Sequence, residues 1–340
     1  MHHEQHPYSQ WPDLAGRALG GQVLDCSDDF FAEMENLIKP EKPVFIAGKY
    51  TERGKWMDGW ESRRKREPGY DWAVLRLGAP GVIRGFNVCT RFFAGNAPQQ
   101  ISIEGCSIAG MPDAETQWTT IIEQQDVKPD RDNYMDCPDS RNWTHLRLNI
   151  FPDGGVARLR VYGQARLNRD WLLPGEPVDL AAIVNGARPL ECSDMFFSSM
   201  TNLLMPGRGK DMGDGWETKR RRGGRECDWI IIRLATSGTI HKVLVDTAHF
   251  KGNYPKSFRL LALNSATDDV TENDERWEEI IDHQFLTADN EHYYRKEVQN
   301  AGQFYTHVKL AMYPDGGISR LRVYGFPVGG DASVVDSSHG

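Results

Sequence analysis

The chain has 340 residues, about the length of two domains, and 39% of them are hydrophobic, as in an ordinary globular protein. Its formal charge of −8 argues against a general binder of nucleic acids or anionic membranes, which would need a basic surface. No apolar run approaches the roughly 20 residues that span a membrane, and the first residues lack the apolar stretch of a signal peptide. We therefore expect a cytoplasmic protein with no nucleic-acid partner and no membrane partner.

Short strands separated by turn residues fill both halves of the chain. Several alternate apolar and polar positions, as Leu159 and Val161 do with their neighbours. Helix is minor, with one short helix predicted over residues 28–37 and another over 194–204. This pattern predicts an all-β chain with a jelly-roll β-sandwich in each half. In chain order, the predicted strands are 72–77, 82–90, 100–106, 118–123, 143–151 and 157–163, followed by 229–234, 241–250, 257–263, 277–282, 306–313 and 319–325.

The two halves of the chain repeat one another. Asp58-Gly59-Trp60-Glu61 returns as Asp214-Gly215-Trp216-Glu217, and a cluster of arginines follows both copies. A repeat this long is a duplicated domain, because one copy can bury its own core. The two tryptophans are expected to pack beneath the loop. We predict tails at 1–12 and 327–340, repeats at 13–165 and 178–326, and a linker at 166–177, with residues 1–10 and 328–340 disordered.

Strand direction predicts which loops lie together. If consecutive strands run antiparallel, the Asp-Gly-Trp-Glu loop shares one end of the sandwich with residues 90–96 and with the long segment 124–141, from which His145 starts a strand. The same holds for the second half, where His307 takes the place of His145. The count puts the Pro-Asp-Gly-Gly turns, 152–155 and 314–317, at the opposite end, where a tight turn needs no function. It assumes that every strand has been recognised.

At these residues the chain resembles the allantoicase family. The resemblance is carried by GKWMDGWESRR at 54–64, MGDGWET at 212–218 and DTAHFKGNY at 246–254. It covers residues 13–325, and the duplication is itself a family trait. The resemblance implies two tandem galactose-binding-like jelly rolls and a hydrolase that converts allantoate to ureidoglycolate and urea in purine catabolism. It also implies that Asp246 and Thr247 belong with the substrate-binding residues.

One departure separates the halves. Where the second half has Asp246 and His249, the first has Cys89 and Phe92, and Ala97 stands where the second half has Tyr254. The family usually keeps the acidic residue and the aromatic residue in both halves. More weight therefore falls on the second half, and the activity of the first stays open.

The implied reaction needs a cationic contact for the substrate carboxylate, a general acid for the leaving nitrogen and a base for water. It needs no covalent protein nucleophile. Arginine binds carboxylates through paired N–H donors, which points to four substrate-binding candidates. Such a run can also be a solvated basic loop, and its recurrence after Asp-Gly-Trp-Glu favours the binding role. The four arginines are Arg220, Arg222, Arg64 and Arg66.

The acid–base candidates are carboxylates and histidines. Glu217 and Asp214 could act as acid and base, with Glu61 and Asp58 in the first half, although an aspartate before glycine can simply cap a turn. A single histidine in a strand is more often structural than a proton carrier. The histidine candidates are His249, His307 and its first-half counterpart His145.

Asn253 and Asn96 could bind a ureido carbonyl, although Gly-Asn is also common in turns. No cofactor is expected, while a divalent metal held by Asp246, His249 and Glu217 stays open. Two rival functions remain: a non-catalytic protein that binds a small ligand on the same scaffold, and a hydrolase for a related compound such as ureidoglycolate. Exposed aromatic residues also suggest a homo-oligomer.

Overall fold

The computed structural model describes residues 6–169, 172–173, 175–223 and 226–328. Its contacts divide the chain into two compact units, Gln5–Arg166 and Leu167–Gly340, which we call the first and second units. No helix among the described residues is long and apolar enough to cross a membrane. The predicted disordered segments 1–5 and 329–340 lie outside the described residues.

The first unit is built almost wholly of strands. Its only helical turns in the described range are 3₁₀ turns at Arg17–Leu19 and Met34–Ile38. The strands are Gln22–Cys26 (β1), Tyr50–Thr51 (β2), Gly54–Lys55 (β3), Trp60–Glu61 (β4), Asp71–Cys89 (β5), Gln100–Cys106 (β6), Thr119–Asp126 (β7), Asp132–Asp136 (β8), Asn142–Phe151 (β9), Gly155–Val156 (β10) and Arg158–Ala165 (β11).

The second unit follows a similar order, with an added strand, Val178–Asp179, at its start and a 3₁₀ turn at Met212–Asp214 in place of the β2–β3 hairpin. The described 3₁₀ turns are Ile183–Asn185, Met200–Leu204 and Met212–Asp214. The strands are Val178–Asp179 (β12), Arg188–Cys192 (β13), Trp216–Glu217 (β14), Asp228–Asp246 (β15), Ser257–Leu263 (β16), Glu278–Phe285 (β17), Glu291–Tyr294 (β18), Tyr305–Tyr313 (β19), Gly317–Ile318 (β20) and Arg320–Pro327 (β21).

Each unit is a sandwich organised by one long strand. In the first unit, the start of β5 pairs with β1 and β9, and β6 and β7 extend that sheet. The end of β5 pairs instead with β11 and β8, so the strand passes from one sheet to the other. Strand β15 does the same in the second unit. The prediction of an all-β chain with a sandwich in each half is confirmed.

The strands predicted at 72–77 and 82–90 are one strand, β5. The residues between them do not form a turn, because the pairing with β9 continues beyond a register shift between Arg76 and Gly81. Gly81 allows β5 to pass from one sheet to the other, because a Cβ at this position would lie 2.3 Å from the Gln164 carbonyl oxygen of β11. The same correction applies to 229–234 and 241–250, which form one strand, β15, that ends at Asp246, so the prediction is wrong for 247–250.

The helices predicted at 28–37 and 194–204 are wrong apart from a 3₁₀ turn at the end of each. The backbone amides of Phe31 and Ala32 donate to the Glu61 carbonyl, and the Phe197 amide donates to the Glu217 carbonyl. These donors pair across the chain with β4 and β14, so they are not available for a helix. The apolar residues that suggested a helix belong to an extended segment.

Among the strands that the sequence did not predict, two change which loops lie together. Strands β8 and β18 fall inside segments that had been predicted as loops, and each reverses the chain once more. Asp71 at the start of β5 therefore faces Ile150 at the end of β9. The Pro-Asp-Gly-Gly turns lie at the same end as β4 and β14, which corrects the prediction that they lie opposite. We call this the loop end of each unit.

The N-terminal segment is packed from residue 6 onward, which corrects the prediction of a disordered tail up to residue 10. Tyr8 is buried, and its hydroxyl donates to Asp136 at 2.6 Å. Its ring lies over Gly85, where a Cβ would approach the ring to 2.1 Å. A glycine in β5 thus provides the space that anchors this segment.

Candidate active site

A cavity of about 590 Å³ lies at the loop end of the second unit. Strand β14 pairs with β20, which places Glu217 beside the turn before Gly317. The cavity is wide enough for a small organic molecule, and both charged and aromatic side chains line it. The lining residues are Phe197, Glu217, Thr218, Arg220, Gly252, Asn253, Tyr254, Lys256, Phe285, Leu286, Pro314, Asp315 and Gly316.

Glu217 and Asn253 form a hydrogen-bonded pair in this cavity. The Asn253 side-chain amide donates to Glu217 Oε1 at 2.6 Å. Among the described residues, none donates to the second oxygen of Glu217 or to the amide oxygen of Asn253, so both can contact a ligand. The structure thus brings together two residues that the sequence had singled out separately.

The first unit has the corresponding pair. Asn96 donates to Glu61 Oε1 at 2.7 Å. Burial raises the pKa of Glu61, and the hydrogen bond from Asn96 and the charge of Lys55 offset only part of that rise. The pKa of this carboxyl is therefore shifted toward the protonated form, in the direction that favours a general acid.

The four candidate arginines separate in the structure. Arg220 lines the cavity and has no acceptor among the described side chains and carbonyls. Arg222, Arg64 and Arg66 are exposed, and Arg222 is not among the described residues that line the cavity. Arg221, between Arg220 and Arg222 in the sequence, forms an ion pair with Asp228. Its backbone amide donates to Asp315 at 2.7 Å. Two anchors therefore fix the backbone next to Arg220.

Asp214 and Asp58 bind buried arginines, and Asp214 is not among the described residues that line the cavity. Asp214 Oδ2 accepts a hydrogen bond from Arg320 at 3.0 Å, and Asp58 Oδ2 accepts one from Arg158 at 2.8 Å. Burial would raise the pKa of Asp58, but hydrogen bonds from Arg158 and the Val44 amide outweigh it, and the pKa is lowered. These two carboxylates are therefore engaged in holding the fold, which argues against the predicted acid–base role.

Asp246 and Thr247 are also occupied by the protein itself. Arg208 donates to both oxygens of Asp246, at 3.0 and 3.3 Å, and the Ala248 amide donates to Oδ1 at 2.8 Å. The Thr247 hydroxyl is fully buried and donates to the Thr287 carbonyl at 2.7 Å. Neither residue lines the cavity, so their predicted contact with substrate gains no support from the geometry.

His249 is anchored by hydrogen bonds and is not among the described residues that line the cavity. Its Nε2 lies 2.8 Å from the Gly209 carbonyl oxygen, to which an Nε2–H donates. Its backbone has a φ of 71° and its amide donates to Asp289 Oδ1 at 2.7 Å. Phe92 has nearly the same backbone, with φ 70° and an amide bond to Asp130. The position is a turn that both units keep.

His307 and His145 lie at the end opposite the loop end, so the prediction that they share it is wrong. His307 pairs in the sheets with Arg233 and Leu263, and His145 pairs with Arg76 and Cys106. Burial and the nearby Arg233 lower the pKa of His307 to about 4. Burial and Arg76 also lower the pKa of His145. Both rings are therefore neutral near pH 7, and each lies away from the loop end of its own unit.

The buried His307 predicts a pH dependence of stability. An unfolded histidine binds a proton near pH 6.5, whereas the folded ring stays neutral until about pH 4. The unfolded state therefore binds more protons in this window, and the free energy of unfolding should fall by about 3 kcal/mol as pH drops from 6.5 to 4. Chemical denaturation of His307→Gln should show a flatter pH profile. The exposed His283→Gln serves as the control, and equal slopes for both variants would contradict this expectation.

Sequence reasoning missed several residues of the cavity. Lys256, Tyr254, Phe197 and Phe285 line it, and so does Asp315 of the turn that had been placed at the far end. Tyr254 had been noted only as a difference between the halves. Lys256 could have been identified by its position, because it follows Asn253 by three residues and directly precedes β16.

The metal alternative was a divalent ion held by Asp246, His249 and Glu217. Among the described residues, no three His, Cys, Asp or Glu side chains come together in an arrangement that could hold a metal ion. Asp246 is bound by Arg208, and His249 contacts the Gly209 carbonyl. The donors that the cavity does offer are suited to a small polar organic molecule.

Comparison with known proteins decides the family. The family model of the allantoicase repeat matches residues 12–166 and again residues 178–328. The chain belongs to the allantoicase family. A probable allantoicase of Pseudomonas aeruginosa strain LESB58 is 46% identical over 335 residues, which are 96% of this chain and 99% of the relative. One of Photobacterium profundum is 46% identical over 323 residues, covering 94% of this chain and 97% of the relative.

Solved allantoicase structures agree with this assignment. The crystal structure of allantoicase from Saccharomyces cerevisiae superimposes with a TM-score of 0.78 at 37% identity, covering 93% of each chain. A second allantoicase structure gives a TM-score of 0.77 at 37% identity, covering 92% of this chain and 93% of the other. The predicted fold class, two tandem β-sandwiches of the allantoicase type related by duplication, is confirmed.

Proposed function

We infer that this protein is an allantoicase that hydrolyses allantoate to ureidoglycolate and urea in the breakdown of allantoin. Besides the family assignment, one observation supports this most directly. In the second unit, an arginine without an acceptor among the described residues and a glutamate–asparagine pair line the same cavity. Allantoate carries a carboxylate and two ureido groups on one carbon, and these are the groups that such side chains bind.

Arg220 is suited to bind the substrate carboxylate. Its guanidinium has no competing acceptor among the described residues, and an arginine can donate two parallel hydrogen bonds to a carboxylate. Its backbone is fixed on one side by the amide of Thr218, which donates to the Gly316 carbonyl at 3.0 Å. The amide of Arg221 and its ion pair with Asp228 fix the other side. The cation is therefore held on a rigid segment.

Glu217 is proposed to move the proton that the reaction requires. The bond between the central carbon and one ureido nitrogen breaks, and the nitrogen keeps the electron pair. The protonated carboxyl gives its proton to this nitrogen, so that urea leaves as a neutral molecule. The remaining ureido nitrogen donates electrons to the central carbon, which then has iminium character. Water adds to that carbon and returns a proton to the Glu217 carboxylate.

One carboxyl suffices for this sequence because it ends the cycle in the form in which it began. That economy is consistent with the hydrogen bond from Arg320 to Asp214, which argues against Asp214 as a second acid–base residue. No Ser or Cys nucleophile is needed. Asn253 holds one oxygen of Glu217 and offers its own amide oxygen to a ureido N–H, which orients the leaving group.

A urea-release assay with three substrates side by side tests the proposed activity. Allantoate should release urea, whereas allantoin should not, because it is a ring that must first be opened. Ureidoglycolate should release urea more slowly than allantoate. Faster release from ureidoglycolate would favour the related hydrolase, and no release from any of the three would favour a non-catalytic binding protein.

Two further expectations go with this function. We propose that the protein acts in the cytoplasm and that it self-associates, with a small molecule as its other partner. Sedimentation of the purified protein measures the second expectation directly. A single monomeric species at micromolar concentration would contradict it.

A further inference from the structure

Lys256 is a second cation in the cavity of the second unit. Its backbone is fixed, because its amide donates to the Tyr313 carbonyl at 2.9 Å and its carbonyl accepts from the Leu286 amide at 3.1 Å. Its ammonium has no carboxylate or carbonyl partner among the described residues and lies 5.9 Å from the centroid of the Phe285 ring. A lysine held beside an aromatic ring without an anion is ready to bind one.

The first unit has Gln99 at this position. The Gln99 amide donates to the Phe151 carbonyl at 3.0 Å, and the Val127 amide donates to the Gln99 carbonyl at 3.1 Å. These bonds match those of Lys256 one for one, so the two positions are equivalent in the fold. The first unit nevertheless keeps the glutamate–asparagine pair and an arginine, Arg64, after the same glutamate.

A second position, close to Gln99 in the first unit and to Lys256 in the second, also makes the first unit less positive. Asp126 precedes Val127 just as Phe285 precedes Leu286, so the first unit has a carboxylate where the second has a phenyl ring. With Gln99 in place of Lys256, the first unit has one positive charge fewer and one negative charge more at these two positions. At these two positions an anion is therefore favoured in the second unit and disfavoured in the first, whereas Lys55 beside Glu61 acts in the opposite sense.

We propose that Lys256 binds the substrate carboxylate together with Arg220, and that this lysine makes the second unit the place where allantoate binds. The proposal rests on the proposed function and adds to it the residue that selects an anionic substrate. Glu217 and Asn253 then contact the ureido group, which the two units would recognise in the same way. The carboxylate is the group that only the second unit accommodates well.

Replacement of Lys256 by the residue of the first unit tests this assignment. Lys256→Gln should raise KM for allantoate about tenfold and change kcat much less, because a charged hydrogen bond to the substrate is lost in both the ground state and the transition state. Lys256→Arg keeps the charge and should restore most of the affinity. Lys251→Gln, an exposed lysine of the same segment that does not line the cavity, serves as the control.

Two inhibitors separate carboxylate binding from a general disturbance of the cavity. N-carbamoylglycine has the carboxylate and one ureido group, whereas N-methylurea has the ureido group alone. Lys256→Gln should weaken inhibition by N-carbamoylglycine about tenfold and leave inhibition by N-methylurea unchanged. Equal weakening of both, or none of either in an enzyme that releases urea from allantoate, would overturn the assignment of Lys256. Absence of urea release from the wild-type protein would instead refute the proposed function.

Discussion

Glu217→Gln is expected to lower kcat for urea release from allantoate by about 10²–10⁴-fold, the usual contribution of a general acid–base residue. Glutamine has nearly the same shape as glutamate and can still accept the hydrogen bond that Asn253 donates at 2.6 Å. It cannot give a proton to the leaving nitrogen or take one from water. The binding of substrate should therefore change little while turnover collapses.

The control for this variant is Glu275→Gln, an exposed glutamate outside the cavity. Circular dichroism and a denaturation curve should be alike for both variants and the wild-type protein, which separates lost chemistry from lost structure. Glu217→Gln with wild-type kcat would contradict the acid–base assignment. It would direct attention to another proton carrier at the loop end.

Arg158→Met is expected to destabilise the first unit by about 3–5 kcal/mol, as removal of one partner from a buried ion pair usually does. The side chain is 2% exposed. It donates to the carbonyls of Glu41, Asp58 and Ala157 at 3.0, 3.0 and 2.7 Å, and to the Asp58 carboxylate at 2.8 Å. Methionine leaves these acceptors buried without their donor.

Two comparisons sharpen this measurement, which follows the unfolding transition of the first unit in denaturant. Arg63→Met breaks an exposed ion pair with Asp28 and should cost about 1 kcal/mol or less. The double variant Arg158→Met with Asp58→Leu should recover part of the lost stability, because no charge then stays buried alone. A loss for Arg158→Met no larger than that for Arg63→Met would contradict the structural role of the pair.

The repeat made most of the fold predictable from the sequence. Two short strands account for the main errors of that prediction. Asp132–Asp136 and Glu291–Tyr294 contain few apolar residues, and each pairs with the end of a long strand at a half-exposed edge. Neither carries a clear alternation of apolar and polar residues, so both were predicted as loop. Each omission reversed the predicted direction of the strands that follow in the same half. Both Pro-Asp-Gly-Gly turns and both strand histidines were therefore predicted at the wrong end of the sandwich.

Recurrence in both halves found part of the candidate site and also selected structural residues. It pointed to Glu217, Asn253 and Arg220, which line the cavity. It pointed equally to Asp214, which accepts a hydrogen bond from the buried Arg320. A structural contact of this kind recurs in both copies of a duplicated domain just as a functional residue does. Lys256 occurs in only one half and was missed for that reason. Only the three-dimensional contacts separate these roles.

The most direct measurement is a crystal structure of the Glu217→Gln variant soaked with allantoate. The carboxylate of the bound molecule should lie between Arg220 and Lys256 in the second unit, with a ureido nitrogen within hydrogen-bond distance of residue 217. Density for allantoate only in the first unit, or at a surface without Arg220, would contradict the central claim.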